Sequence, residues 1–100
     1  MIATTDPITA ARAAALFVSD ISASHRPTRA EAEDAIRRAS RIHCGIRGCA
    51  ADMAANYGDY PELAAARMEW ASSVAEGMRH HALVSHLDGH TPRVRLAPAA

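Results

Sequence analysis

Apolar residues recur along this chain at spacings of three and four, with turn residues between the runs. That period places them on single faces of helices, not on alternate sides of strands. Asp6 followed by Pro7 opens the first run, as a capping acid with proline at the first helical position. Ala10, Ala13, Ala14, Phe17 and Ile21 then fall on one face, and 22–27 reads as a loop. Thr28, Arg29, Ala30 and Glu31 form a capping box, in which hydroxyl and carboxylate each accept from the other residue's backbone amide. Ala32, Ala35, Ile36, Ala39, Ile42 and Ile46 form the stripe that follows, until Gly45 and Gly48 mark a turn.

A short third helix is predicted over 49–57, with Ala50, Met53, Ala54 and Tyr57 inward and Gly58 as its stop. Asp59 and Glu62 then cap a fourth helix. Leu63, Ala66, Trp70, Val74 and Gly77 make one apolar stripe on it, and Ala64, Met68, Ala71, Ala75, Met78 and Ala82 make another. Together they exceed what one neighbouring helix covers. Gly77 is a weak point in that helix. The expected architecture is all-α: a small bundle of about four helices, near 7–21, 28–44, 49–57 and 60–83. It forms a single domain over 1–88, with an extended tail over 89–100 in which Arg93, Val94, Arg95 and Leu96 alternate.

Composition explains why the core is thin. Alanine supplies 24 of 100 residues, against one Phe, one Trp and two Tyr. Alanine favours helix, because it loses no side-chain entropy, but it buries little area. Part of the stability is therefore expected to come from a partner or a second copy. No run of apolar residues is long enough to span a membrane, and Asp6 and Arg12 interrupt the first run, so a cytoplasmic protein is expected. Two cysteines in such a compartment are expected to be free.

The formal net charge is +0, all cations being Arg, yet the charge is unevenly spread. Residues 25–49 hold six Arg against three acids, a net of +3, and 50–78 hold one Arg against five acids, a net of −4. The stretch from Gly48 to Trp70 has the outline of a helix-turn-helix, whose second helix enters the major groove in DNA-binding proteins. Glu62 and Glu69 on that helix would face phosphates, so DNA is disfavoured. The residues available to nucleic acid are Arg29, Arg37, Arg38, Arg41 and Arg67.

Cys44 and Cys49, with His43, His80, His81, His86 and His90, supply zinc-type ligands. Two glycines and Arg47 lie between the cysteines, and no second pair matches. A small zinc-stabilised domain is thus a minor alternative, and no metal or other cofactor is assigned. A cysteine at a helix N-terminus has a lowered pKa, and Cys49 falls near one. With no orienting third group and no phosphate loop, no enzyme is expected and no catalytic residue is assigned. The remaining candidate is association with a second copy or another protein, through Leu63, Met68, Trp70, Val74 and Met78.

Several blocks resemble a group of short actinobacterial helical proteins. They are 15–20 (Ala-Leu-Phe-Val-Ser-Asp), Pro27-Thr28, 47–51 (Arg-Gly-Cys-Ala-Ala), 57–62 (Tyr-Gly-Asp-Tyr-Pro-Glu) and 65–71 (Ala-Ala-Arg-Met-Glu-Trp-Ala). The resemblance spans about 15–75. It implies a compact helical unit of bacterial cytoplasmic origin and carries no catalytic or binding residues with it.

Overall fold

The computed structural model describes residues 6–88. The tail expected over 89–100, and His90 with it, lies outside them. Four helices follow one another, α1 (Pro7–Phe17), α2 (Arg29–Ile42), α3 (Gly45–Asp59) and α4 (Pro61–Asp88), with no strand among the described residues.

The starts of α1 and α2 are written locally. The Asp6 carboxylate accepts from the Thr9 amide at 2.7 Å, and Pro7 follows at the first position. Hydrogen bonds from Thr9 hold the Asp6 carboxyl below its ordinary value. The capping box of α2 is complete: the Glu31 amide donates to Thr28 Oγ1 at 3.1 Å, and the Thr28 amide to Glu31 Oε1 at 2.9 Å. The Glu31 carboxyl is lowered in turn, first by the Thr28 amide and then by His25.

α1 is the central helix and packs against each of the other three. Ala13, Ala14, Ala15, Leu16 and Phe17 are all buried, and five consecutive residues point in every direction around a helix. The one-sided stripe expected for it is corrected accordingly: Ala10 is exposed and Ile21 lies past the end. On α2 the alanines Ala32, Ala35 and Ala39 face the core, with Ile36 half-buried beside them. Ile42 and Ile46, expected on that stripe, are 73% and 61% exposed at the corner between α2 and α3.

That corner consists of two left-handed residues, Cys44 (φ 63°) and Gly45 (φ 83°). α3 therefore starts four residues earlier than the predicted Cys49, and Gly48 lies inside its first turns. Its role is close approach: a Cβ there would lie 1.3 Å from the His43 carbonyl oxygen. At the other end α3 runs through Gly58 to Asp59, and Tyr60 alone links it to α4, so Asp59 does not cap α4. Of α3, only Cys49 is fully enclosed. Met53 packs on the core from one side, and Tyr57 stacks on Phe17 with ring centroids 6.0 Å apart.

α4 runs antiparallel to α1: Arg67 reaches Phe17 at one end, and Arg79 pairs with Asp6 at 3.6 Å at the other. Ala64, Ala71, Val74, Ala75 and Met78 are its buried residues. Gly77 does not end it, and α4 continues past the predicted Leu83 to Asp88.

Candidate functional site: the two faces of α4

At about 100° per residue, the buried positions 64, 74, 75 and 78 all stand within about 60° of Ala71 around the α4 axis. Leu83, Val84 and Leu87 stand about 120°, 220° and 160° from it, on the side away from the bundle. They are 51%, 41% and 66% exposed. The apolar face of α4 thus switches sides after Met78, with His80 continuing the outer face one turn earlier. No Asp, Glu or Arg falls between 80 and 87, so this outer stripe is uncharged apart from its imidazoles.

The surface expected at Leu63, Met68, Trp70, Val74 and Met78 is not one face. Val74 and Met78 are buried in the core against α1, and this corrects their assignment to an interface. Met68 and Trp70 are half-buried beside them, and Leu63 is 72% exposed. The indole of Trp70 is committed within the chain: Nε1 donates to the His25 carbonyl at 3.0 Å, and the Arg67 guanidinium lies 4.3 Å from the ring centroid.

Arg67 also has an internal task. Its Nε donates to the Phe17 carbonyl at 2.9 Å, and its Nη2 to the carbonyls of Leu16 and Ser19 at 3.2 and 3.0 Å. One guanidinium therefore closes the C-terminus of α1, where carbonyls lack intrahelical donors and the helix dipole favours a cation. Burial lowers the Arg67 pKa from its usual value, leaving it protonated. Arg67 is consequently removed from the residues available to nucleic acid. The signal was present in the pattern, since Arg67 is the one charge on the Ala64–Ala71 face of α4.

The arginines of α2 are also largely engaged. Arg29 pairs with Glu33 at 3.4 Å, Arg37 with Asp34 at 3.5 Å, and Arg38 with both Asp34 and, at 3.0 Å, Asp20. The Asp20 hydrogen bond raises the Arg38 pKa. Arg41 is the member of that set without an ion-pair partner among the described residues. A face neutralised by its own acids is a poor grip for phosphates.

The cysteines and histidines do not converge. Among the described residues no three His, Cys, Asp or Glu side chains are grouped to hold a metal. Cys44 is exposed and Cys49 buried, both free. Cys49 sits a full turn inside α3, with its thiol 3.7 Å from the Ala39 carbonyl, and burial pushes its pKa up. The lowered thiol expected from a helix N-terminus is thereby corrected. His43 Nδ1 pairs with the Asp52 carboxylate, tying the end of α2 to α3. No helix is long and apolar enough to cross a membrane among the described residues. No family model, curated protein or solved structure matches the chain.

Proposed function

We propose that this chain is a non-enzymatic cytoplasmic module that works by association with a second copy, through the outer face of the end of α4. The observation that carries this reading is the switch of the apolar face after Met78. Over its first five turns α4 buries Ala64, Ala71, Val74, Ala75 and Met78 in the bundle, with Leu63 alone among its large apolar residues mostly exposed, and the last turns aim Leu83, Val84 and Leu87 away from it. Ile42 is more exposed singly and Ile46 comparably so, but they sit at a corner between two helices and form no stripe. A second copy fits because no carboxylate or guanidinium falls within the stripe, so two of them meet without repulsion between such groups, and its 3–4 spacing suits helix-on-helix packing.

The exposed fractions of the three residues amount to about one and a half side chains per copy. Burying them in both copies releases roughly 5–9 kcal/mol. Association costs at least about 4 kcal/mol in lost freedom of motion. The difference is at most about 5 kcal/mol, so the dimer is reversible, with a Kd no tighter than on the order of 0.1–1 mM. Sedimentation velocity across that concentration range tests it. Wild type is expected to shift toward a dimer as concentration rises, while Leu87→Glu stays monomeric with unchanged helix content. A concentration-independent monomer in the wild type refutes the proposal.

A further inference from the structure

A cleft of about 580 Å³ opens between α3 and α4 beside the capped end of α1. That volume is in the range of small-molecule sites. It lies some twenty residues, or about 30 Å, along α4 from Leu83, and owes nothing to the association surface. Phe17, Val18, Leu63 and Ala64 supply an apolar wall, and Asn56 and Tyr60 supply polar groups at the side.

Arg67 decides what this cleft can take. Three carbonyls and the Trp70 ring fix its guanidinium in place. Nε and Nη2 are spent on those carbonyls, and Nη1 makes no hydrogen bond among the described residues. Arg67 also has no carboxylate partner there, although it is half-buried. Three carbonyls and the end of α1 already meet the charge of Arg67, so what the cleft gains is the rigid Nη1 edge, whose N–H donors suit a planar anion. The one acid lining the cleft among the described residues, Asp52, is already bonded to His43.

We infer that this cleft binds a small amphipathic carboxylate, its acid group on Arg67 Nη1 and its chain along Phe17, Val18 and Leu63. The size of the site and the single free guanidinium edge favour a monoacid with a short hydrocarbon body.

The test uses hexanoate, hexanol and hexylamine, titrated into the whole protein and followed by amide and arginine side-chain resonances. Hexanoate is expected to shift Val18, Leu63 and the Arg67 Nε–H saturably, with a Kd on the order of 1 mM. Hexanol should bind at least fivefold more weakly, and hexylamine should leave those signals in place. Leu63→Glu puts a like charge at an exposed rim position without touching the core, and is expected to weaken hexanoate at least fivefold. Equal binding of hexanoate and hexanol overturns the inference, because it reports a greasy surface only. So does a hexanoate response that fails to saturate, or that survives Leu63→Glu unchanged.

Discussion

Replacing Arg67 with Met probes the most connected side chain in the bundle. The substitution keeps an unbranched apolar stem of similar reach and deletes the guanidinium. It removes three hydrogen bonds to the carbonyls of Leu16, Phe17 and Ser19, and the stack on Trp70. A hydrogen bond to a charged group contributes about 1.5–3 kcal/mol net when its partner is left buried. Two effects reduce the sum. Water can reach some of the released carbonyls, and the cost of desolvating the Arg67 charge disappears with it. A net loss of about 2–4 kcal/mol remains. At 4–8 °C per kcal/mol for a domain of this size, Tm should fall by about 10–25 °C. Arg67→Lys keeps a cation at the end of α1 but cannot bridge three carbonyls, so it should lie between the two. Thermal unfolding followed by circular dichroism reads both variants. If Arg67→Met melts within about 2 °C of wild type, the cap contributes nothing and the account of the α1 terminus is mistaken.

Other perturbations separate packing from conformation, and exposure from reactivity. Gly48→Ala drives a methyl into the His43 carbonyl and should cost about 2–4 kcal/mol, whereas Gly77→Ala meets open space and should stabilise α4 by about 1 kcal/mol; denaturant titration of both checks the sign. A thiol reagent at pH 8 should label Cys44 rapidly and Cys49 only at the rate of opening, and two equally fast thiols would contradict the burial of Cys49. Glu31 has a depressed pKa in the folded state, so its contribution is present above about pH 4.5 and is lost as pH falls through the folded value. An acid titration of helicity should show this loss in the wild type, and Glu31→Gln should flatten it.

What the sequence made legible was local. The Asp6 cap and the capping box at Thr28 depend on residues within one turn, and both stand where the pattern puts them. The helix ends that moved depend on distant groups or on backbone conformation. α1 stops at Phe17 where Arg67, fifty residues on, takes its carbonyls. α3 starts early because Cys44 adopts a left-handed conformation that nothing in its side chain announces. Gly48 read as a turn marker and is a packing glycine. The candidate surface was misplaced for a different reason. Both stripes of α4 were visible, but which one α1 would cover depends on the fold. α1, enclosed on every side, claims Val74 and Met78. The outer face at Leu83, Val84 and Leu87 becomes evident only once α4 is known to extend to Asp88. Arg29, Arg37 and Arg38 looked like a basic face because net charge over a segment hides pairs three and four residues apart.

The most direct test of association through the end of α4 is an isotope-filtered NMR experiment on a one-to-one mixture of labelled and unlabelled chains at about 1 mM. The filter reports only contacts between copies. Cross-peaks are predicted between methyl groups of Leu83, Val84 and Leu87 on one chain and those of the same three residues on the other. Intermolecular peaks confined to Ile42, Ile46 or Leu63, or none in a sample that sediments as a dimer, would contradict it.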